Sequence, residues 1–282
     1  MHKIVRKEQL NPEICLVEME AEDLSRAARA GQFVILRIDE TGERFPLTLY
    51  NFDQDKGTVT VVCQAVGVST KKLCALREGD SVLDIAGPLG HATDTENIGK
   101  VICIGGGVGT AEAYPIAKAM VEAGNDVTII IGARSEEIVI CEDDIKKFCD
   151  KCHITTDDGS YGRKGFVTDV LKELLEKDKY DQVFAIGPVI MMKMVSEMTR
   201  PYGVKTLVSL NSIMIDGTGM CGGCRVKFSG ELKFTCVDGP EFDGHLVDFD
   251  DLMQRQTRYK VEEDEAMCHY KKQCKIGLGE GK

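Results

Sequence analysis

Residues 216–236 read DGTGMCGGCRVKFSGELKFTC, and the other parts of the chain are arranged around this stretch. Cys221 and Cys224 form a C-x2-C pair in a glycine-rich turn, and Cys236 follows after eleven intervening residues. Asp216 stands five positions before Cys221, so the four side chains are separated by four, two and eleven residues. The first two spacings are those of plant-type [2Fe–2S] sites. The stretch therefore predicts a [2Fe–2S] loop with Asp216, Cys221, Cys224 and Cys236 as ligands.

The glycines of this stretch favour the same prediction. A cluster needs a tight loop, because several ligands must converge on a small core. Glycine permits such a bend and leaves backbone N–H groups free to face sulfide. It occupies four positions here, Gly217, Gly219, Gly222 and Gly223.

Two other interpretations of the cysteine pair stay open. A C-x2-C pair is also typical of zinc knuckles, and a further zinc ligand is available at Cys268, His269 or Cys274. The glycine-rich arm of four residues before Cys221 has no purpose in a zinc ribbon. The other alternative is a structural loop without metal.

Length and composition indicate a globular chain of two or three units. It has 282 residues, of which 29% are charged and 43% hydrophobic. The net charge of −11 argues against binding to nucleic acid or to an anionic membrane surface. No apolar run approaches the roughly 20 residues of a membrane helix, and residues 1–20 lack the apolar segment of a signal peptide. Twelve cysteines in such a chain suit metal ligation in a reducing cytoplasm, where we expect the protein to be located.

The first unit, residues 1–98, is predicted to be a small antiparallel β-barrel. Short alternating apolar runs recur between turns that contain glycine and aspartate. These runs are EICLVEMEA (13–21), QFVILRIDE (32–40), FPLTLYNFD (45–53), GTVTVVCQAVG (57–67) and DSVLDIAGPLG (80–90).

One helix interrupts the strands of this unit. It is predicted over residues 69–76, after Gly67, with Ser69 or Thr70 as the N-cap. A helix that starts after a glycine turn is an anion site suited to a pyrophosphate, although ordinary capping explains the pattern about as well.

The second unit, residues 99–208, is predicted to be a nucleotide-binding α/β domain. A continuous apolar strand, VICI at 101–104, runs into a glycine-rich turn, and a helix follows over about 111–123. A strand, a glycine-rich turn and a helix N-terminus are the parts of a dinucleotide pyrophosphate site. The candidate contacts in the turn are Gly105, Gly106, Gly107, Gly109 and Thr110.

The ribose end of this site is ambiguous in the sequence. The second strand ends in Gly132-Ala133-Arg134 without the acidic residue of a standard NAD fingerprint. Arg134 is compatible with a 2′-phosphate, with stacking on adenine or with plain solvation. Asp158, in a later loop, and the pair Gly187-Pro188, at the end of the strand 182–186, are further candidates. The methionines at 191–198 are interpreted as core packing.

The third unit, residues 209–282, holds the predicted cluster loop. Residues 239–244, GPEFDG, close it, and a charged segment over 245–272 is predicted to be a partly helical arm that faces solvent or a partner. Cys268 and Cys274 lie in or near this arm and are interpreted as free thiols or packing residues.

With these parts in order, the chain resembles the ferredoxin–NADP reductase superfamily along nearly its whole length. It is similar to the electron-transfer subunit of dihydroorotate dehydrogenase B. It is closer to the small subunits of the NADH-dependent reduced ferredoxin:NADP oxidoreductase and of sulfide dehydrogenase. The motifs that carry the resemblance are GGGVGTAEAYPIAK (105–118), DDGSYGRKGFVTD (157–169), DGTGMCGGCRV (216–226) and GPEFDGHLVDFDDLM (239–253).

The resemblance implies FAD in the barrel, NAD(H) on the second domain and one [2Fe–2S] cluster in a small C-terminal domain. The superfamily's flavin motif, Arg-x-Tyr-Ser/Thr, aligns with residues 45–48, FPLT. Thr48 is then expected to hydrogen-bond the N5 or O4 edge of the flavin, and Leu47 replaces the stacking tyrosine. The candidate flavin contacts are Pro46, Leu47, Thr48, Gln64, Gly67, Ser69 and Thr70.

What the resemblance implies about function is electron transfer without acid–base or nucleophilic residues, since the cofactors carry the chemistry. The implied partner is a larger iron–sulfur flavoprotein subunit that bifurcates electrons between ferredoxin and NADP. Asp216 replaces a cysteine of the dihydroorotate-type subunit and points to the ferredoxin:NADP branch. NADH is the expected nucleotide. The alternatives are a subunit of dihydroorotate dehydrogenase B or sulfide dehydrogenase and, in another class, a zinc-stabilised binding module.

Overall fold

Two seven-stranded sheets and one hairpin form the framework of the computed structural model, which describes residues 1–277 and the side chains of residues 1–272. The first sheet is antiparallel and the second is mostly parallel. This arrangement confirms the predicted fold class, a flavin-type antiparallel barrel followed by an α/β domain.

The first sheet has the strand order β6-β1-β2-β5-β4-β3-β7. Its strands are β1 (His2–Asn11), β2 (Ile14–Glu20), β3 (Phe33–Arg37), β4 (Arg44–Asp53), β5 (Thr58–Gln64), β6 (Ser81–Val82) and β7 (Asp84–Leu89), and its helices are α1 (Glu22–Ala27) and α2 (Val68–Ala75). Alternate residues such as Val34, Leu36, Val59 and Val61 are buried in one core. The alternation of apolar and polar residues in the sequence therefore arises because one face of each strand is buried.

Two elements of this unit were not predicted, and one cap was predicted wrongly. β1 carries few apolar residues, and α1 is shorter than two turns. The N-cap of α2 is Gly67 rather than Ser69 or Thr70. Thr70 is the third helical residue, and its hydroxyl reaches back to accept the Gly67 N–H at 2.9 Å.

The second unit alternates strands and helices. Its elements are β8 (Lys100–Gly106), α3 (Gly109–Glu122), β9 (Asp126–Ala133), α4 (Glu142–Lys146), β10 (Cys152–Thr156), β11 (Arg163–Lys164), α5 (Val167–Lys177), β12 (Gln182–Ile186), α6 (Val189–Thr199) and β13 (Lys205–Ser209). One face of the sheet packs on α3, and the other packs on α5 and α6. Burial on both faces explains the continuous apolar runs of β8, β9 and β12.

The last part of the chain is divided between the hairpin and the second sheet. It contains β14 (Arg225–Phe228), β15 (Glu231–Phe234), α7 (Thr235–Asp238), β16 (Glu241–Asp243), α8 (Phe249–Gln256) and α9 (Lys260–Gly277). The second sheet has the order β11-β10-β9-β8-β12-β13-β16, and β16 is antiparallel to β13. Phe242, Phe249 and Leu252 are buried in the same core as α6, so residues 239–256 complete the nucleotide domain. Within the 277 residues described, no helix combines the length and the apolar character that a bilayer crossing requires.

Glu241 joins this last part of the chain to the first unit. The Thr93 hydroxyl donates to the Glu241 carboxylate at 2.5 Å, and the His91 N–H donates to the Gly239 carbonyl at 2.7 Å. Burial raises the pKa of Glu241 from 4.5 to about 7, and the bond from Thr93 only partly offsets this. The carboxyl is therefore held partly protonated at neutral pH.

This raised pKa predicts a loss of stability with rising pH. The folded state binds the Glu241 proton more tightly than the unfolded state, so the contribution of Glu241 to stability is greatest below about pH 4.5 and declines up to about pH 7. One pKa unit corresponds to about 1.4 kcal/mol, so the decline amounts to at most about 3 kcal/mol. Glu241→Gln keeps the Thr93 bond and should remove this decline, as measured by urea unfolding at several pH values. The exposed Glu231→Gln is the control, and an identical pH profile in the two variants would contradict the assignment.

Candidate functional site

The glycine-rich loop between β8 and α3 is packed so closely that larger residues do not fit. A Cβ built on Gly109 lies 2.4 Å from the Ile186 carbonyl oxygen, and one built on Gly105 lies 2.5 Å from the Thr110 Cα. Gly107 has a φ of +57° and open space where its side chain would be. The loop therefore lies against the end of β12 and leaves one side of its backbone accessible.

Thr110 provides a test of whether a nucleotide fits this loop. Its hydroxyl is buried in the first turn of α3 and has no hydrogen-bond partner within the described part of the chain. Buried polar groups are normally satisfied, and the start of a helix also presents unpaired N–H groups. A phosphate oxygen would satisfy both kinds of donor, so these residues fit a dinucleotide pyrophosphate.

The second nucleotide loop, Gly187-Pro188, lies directly against the first. Gly187 has a φ of +156°, and a Cβ built there would lie 3.0 Å from the Gly106 carbonyl oxygen. Met191, in the first turn of α6, packs over the place where the two loops meet. Its Sδ would lie 2.5 Å from a Cβ built on Gly106. This role of Met191 was not predicted, because the residue belongs to a methionine run that is typical of core packing. Of that run, Met192 is buried and Met194 is exposed.

The predicted ribose contacts follow two neighbouring strands. Arg134 is exposed at the end of β9, and its carbonyl accepts the Asp158 N–H at 3.2 Å. The Asp158 carboxylate accepts the Ser160 hydroxyl at 2.7 Å and the Ser160 N–H at 2.9 Å, and these bonds lower its pKa. Both residues therefore lie at the carboxyl edge of the parallel sheet, where ligands of such folds bind.

An opening in the first sheet lies at the predicted flavin strand. Residues 44–48 of β4 pair with β3, whereas only residues 49–53 pair with β5. β4 and β5 therefore separate beyond the Leu49–Val61 pair, and residues 45–48 are half-exposed although β4 is an inner strand. α2 packs on β5 next to this opening. The backbone N–H groups in the first turn of α2 have no acceptor within the helix. A flat ring with a pyrophosphate, such as FAD, fits this combination.

The predicted flavin residues lie on different faces of this opening. In an antiparallel pair, residues opposite each other share a face, so Pro46 and Thr48 share the face of Ile35 and Phe33. Leu47 packs against the barrel core instead. Two side chains already have partners, since the Gln64 amide donates to Glu13 at 3.2 Å and the Thr70 hydroxyl donates to the Gly67 carbonyl at 3.1 Å.

Glu112 lies near the flavin strand and was not predicted from the sequence. It is half-buried in the first turn of α3, a helix that packs on β4. Burial raises the pKa of Glu112 to about 7, and the Thr48 hydroxyl lowers it only in part. A glutamate near a helix start resembles an ordinary solvated residue in sequence, so no local pattern marks this one.

The cluster loop brings two of its predicted ligands together. Cys224 and Cys236 are buried, and their Sγ atoms are 3.2 Å apart. Burial and the neighbouring Cys224 thiol raise the pKa of Cys236. A cation is therefore needed to hold Cys236 as a thiolate beside a second sulfur.

Asp216 and Cys221 occupy the exposed part of the same loop. The Asp216 carboxylate accepts the Thr218 hydroxyl at 2.5 Å and the N–H groups of Met220 at 3.2 Å and Cys221 at 3.3 Å, which keeps its pKa low. The Cys221 sulfur accepts the Gly223 N–H at 3.4 Å. Backbone N–H groups directed at sulfur and an ionised carboxylate are the donor set that an iron–sulfur cluster needs.

The four side chains do not converge on a single point. Across the described residues, no three His, Cys, Asp or Glu side chains are close enough to hold one metal ion. A zinc knuckle requires such convergence. A [2Fe–2S] cluster is wider and takes its ligands in twos, one set for each iron, so the cysteine pair and the exposed pair still fit it. Cys268 and His269 are exposed on α9, and Cys274 lies outside the described side chains.

The buried end of the cluster loop packs on the flavin barrel. Phe33 and Ile35 of β3 form one buried group with Met214, Cys224 and Cys236. β3 is also the strand that pairs with residues 46–48 of β4. The cluster cysteines are therefore one strand away from the predicted flavin contacts.

Comparison with known families agrees with this geometry. Residues 103–197 match the family described as "Oxidoreductase NAD-binding domain". Residues 211–248 match "Iron-sulfur cluster binding domain of dihydroorotate dehydrogenase B". A Thermotoga maritima protein named as a homologue of the dihydroorotate dehydrogenase B (NAD(+)) electron transfer subunit is 46% identical over 263 residues, 93% of each chain. The chain belongs to the family of dihydroorotate dehydrogenase B electron-transfer subunits and their homologues.

Solved structures agree with the family. The structure of an NADH-dependent reduced ferredoxin-NADP oxidoreductase, studied for flavin-based electron bifurcation, matches with a TM-score of 0.91 and 44% identity, covering 96% of this chain and 98% of that one. Phthalate dioxygenase reductase matches with a TM-score of 0.58 and 17% identity over 80% of this chain and 85% of its own, which supports the fold alone.

These matches establish the class of protein. The chain is an electron-transfer subunit of an NAD-dependent oxidoreductase that uses flavin and an iron–sulfur centre. The predicted cofactors, FAD, a [2Fe–2S] cluster and NAD(H), and the predicted resemblance are confirmed at this level.

Proposed function

We propose that the chain is the small subunit of an electron-bifurcating NADH-dependent ferredoxin:NADP oxidoreductase. The observation that carries the proposal is the position of β4. On the nucleotide side, Tyr50 of β4 stacks on Tyr114 of α3 with ring centroids 4.5 Å apart. On the other side, Phe33, which pairs with Thr48 of β4, packs with the cluster cysteines. A flavin at β4 would therefore have the nicotinamide on one side and the cluster on the other. FAD, when bound, supplies the conversion between hydride transfer and single-electron transfer.

Each candidate residue has a role in this proposal. Gly67, Ser69 and Thr70 hold the flavin pyrophosphate with the N–H groups of α2, and Pro46, Thr48 and Gln64 contact the ring. Leu47 holds β4 in place from the opposite face, where its side chain packs against the barrel core. The nucleotide is held by Gly105, Gly106, Gly107, Gly109, Thr110, Arg134, Asp158, Gly187 and Pro188. Close loop packing at Gly105 and Gly109 excludes side chains from the phosphate path.

The cluster ligands are assigned in pairs. Cys224 and Cys236, buried and 3.2 Å apart, hold the inner iron next to the flavin barrel. Asp216 and Cys221 hold the outer iron at the surface. The cluster thus has one side toward the flavin and one toward solvent or a partner, as an electron relay requires.

The partner proposed here is a larger iron–sulfur flavoprotein subunit that docks over the outer iron and, through its own sites, connects to ferredoxin and NADP. Large apolar side chains are exposed around the cluster loop, with Ile215 at 50%, Met220 at 87% and Val237 at 38%. Exposed apolar groups of this kind indicate an interaction surface. Similarity to the bifurcating oxidoreductase along 96% of the chain supports the same partner.

A second candidate is the electron-transfer subunit of dihydroorotate dehydrogenase B. The family match at residues 211–248 and the name of the Thermotoga maritima relative favour it. Asp216 is the residue that separates the two candidates, because the dihydroorotate-type subunit has cysteine there. The difference in partner is tested by native mass measurement of the complex isolated from its own source. A larger subunit that reduces ferredoxin and NADP supports the first candidate, and one that oxidises dihydroorotate supports the second.

The isolated chain should bind about one FAD and be reduced by NADH in preference to NADPH. Similarity to an NADH-dependent oxidoreductase favours this preference, and Arg134 is exposed at the ribose end of the site. Anaerobic titration with each nucleotide, followed by flavin absorbance and cluster EPR, measures both properties. A kcat/KM that favours NADPH would show the nucleotide assignment to be wrong.

A further inference from the structure

Two arginines bind the backbone of the cluster loop. The Arg225 guanidinium donates to the Gly222 carbonyl at 2.9 Å, and the Arg255 guanidinium donates to the Gly223 carbonyl at 3.4 Å. These two glycines are the residues inside the C-x2-C pair. Both arginines therefore act on the part of the loop that carries two of the proposed ligands.

A single peptide group connects Arg225 to a ligand sulfur. The Gly222 carbonyl and the Gly223 N–H belong to the same trans peptide, so they point in opposite directions. The carbonyl accepts a bond from Arg225, and the N–H donates to the Cys221 sulfur at 3.4 Å. Gly222 permits this orientation because its φ is +65°, a left-handed value that side chains disfavour. A positive charge is thus bonded to one end of a peptide dipole, and the other end is directed at the sulfur.

Arg255 reaches the loop from the nucleotide domain. It lies in the last turn of α8, a helix whose Leu252 is buried in the core that also contains α6. Arg255, Arg258 and Gly223 line one small cavity of about 30 Å³. The bond of Arg255 to the Gly223 carbonyl leaves the N–H of that peptide, which belongs to Cys224, on the opposite side. Helix packing therefore holds a second guanidinium on the next peptide of the turn.

The positive charges at this turn are not neutralised by ion pairs. In the part of the chain that the structure describes, Arg225, Arg255 and Arg258 form no salt bridge, and the nearby Asp251 pairs with Lys227 at 2.8 Å instead. Burial and the neighbouring Arg225 and Arg258 lower the pKa of Arg255. Positive charges that repel one another are stabilised by a nearby anion. A [2Fe–2S] cluster with anionic ligands is such an anion.

We propose that Arg225 and Arg255 are positioning residues that orient and polarise the peptides of the C-x2-C turn and thereby raise the reduction potential of the cluster. The proposal rests on the proposed function, which places the cluster on the cysteines of this turn. Reduction adds one electron, supplied by the flavin, and N–H groups that donate to sulfur stabilise the added negative charge. A guanidinium on the carbonyl strengthens the N–H donor of the same peptide, because linked hydrogen bonds polarise one another.

The test is the midpoint potential of the cluster, measured by EPR-monitored redox titration of the chain loaded with FAD and iron. Arg225→Gln should lower the ratio of reduced to oxidised cluster about tenfold, or about 59 mV for one electron. Arg255→Gln should lower the potential by less, because its bond to the loop is longer. Arg225→Lys keeps the charge and should recover at least part of the loss. Native potentials in both glutamine variants would overturn the proposal.

Arg258→Gln is the matched control, because it removes a charge from the same patch. Arg258 lies two residues after α8 and is exposed, and it makes no side-chain hydrogen bond to the loop within the described residues. Its loss should lower the potential by less than the loss of Arg225. An equal fall in the two variants would mean that charge alone sets the potential, and the peptide-mediated role would be wrong.

Resonance Raman spectra supply a readout that a merely structural role would not move. The Fe–S(Cys) stretching bands of the native protein should shift in heavy water, because the Gly223 N–H donates to the Cys221 sulfur. This shift should shrink in Arg225→Gln at unchanged iron content, and an equal shift in both proteins would overturn the proposal. Failure of the proposed function gives a different result, since the native chain would then hold no [2Fe–2S] cluster and show no such bands.

Discussion

Asp216→Ala is expected to lose the cluster or make it labile, whereas Asp216→Cys should keep it and lower its potential. The spacing puts a ligand five residues before Cys221, and Asp216 is the side chain there. A carboxylate donates less electron density to iron than a thiolate does. Plant-type all-cysteine clusters lie near about −400 mV, and replacing thiolates by neutral histidines raises the potential. Asp keeps its negative charge, so the native potential should be raised by less than in a histidine-ligated site.

Asp216 also holds the turn, and a matched variant separates the two roles. Its carboxylate accepts the N–H groups of Met220 and Cys221, and an amide oxygen can accept the same bonds. Asp216→Asn should therefore preserve the turn but not the anionic ligand. Iron content and EPR of the Ala, Asn and Cys variants measure the outcome. A native cluster in Asp216→Asn would assign Asp216 to the turn alone.

The competing ligand is a cysteine of the C-terminal arm. Cys268 is exposed on α9, and Cys268→Ser should leave iron content and EPR unchanged. The same is predicted for Cys274→Ser. Loss of the cluster in either variant, together with a native spectrum in Asp216→Ala, would show that the fourth ligand comes from the arm.

Local patterns in the sequence predicted most of the fold. Alternating runs became strands of the first sheet, and the apolar run at 101–104 became part of β8. Ligand spacing, glycine-rich turns and strand ends likewise depend on neighbours along the chain, so the candidate loops could be found without coordinates. The arm was also predicted to be partly helical, as α8 and α9 are.

The features that sequence did not predict depend on contacts between distant segments. β16 joins the second sheet because Phe242 is buried beside α6, and no residue close to it in sequence indicates that pairing. The stacking of Tyr50 of β4 on Tyr114 of α3 joins residues far apart in sequence. The separation of β4 from β5 is a property of two strands together, although each has an ordinary pattern. The disulfide between Cys15 of β2 and Cys74 of α2 is a further contact of this kind.

Gly217→Ala is expected to slow electron transfer from the flavin to the cluster by about tenfold or more. Gly217 has a φ of +79°, and a Cβ built there would lie 2.7 Å from Ile35 Cγ1 and 2.8 Å from Leu89 Cδ1. Both contacts belong to the packing of the cluster loop on the flavin barrel. Overpacking of this kind costs about 1–3 kcal/mol, and each 1.4 kcal/mol lowers the docked population about tenfold. The loop would have to move away from β3, which carries the predicted route between the cofactors.

Gly230→Ala is the matched control for this prediction, because it separates backbone strain from contact. Gly230 lies in the β14–β15 turn with a φ of +81°, and nothing lies within 4 Å of a Cβ built there. Both variants therefore carry the same left-handed strain of about 1–2 kcal/mol, but only Gly217→Ala meets Ile35 and Leu89. Stopped-flow reduction by NADH should show normal flavin reduction in both variants and slow cluster reduction in Gly217→Ala alone. Equal cluster-reduction rates in the two variants would mean that electrons reach the cluster without this packing against β3.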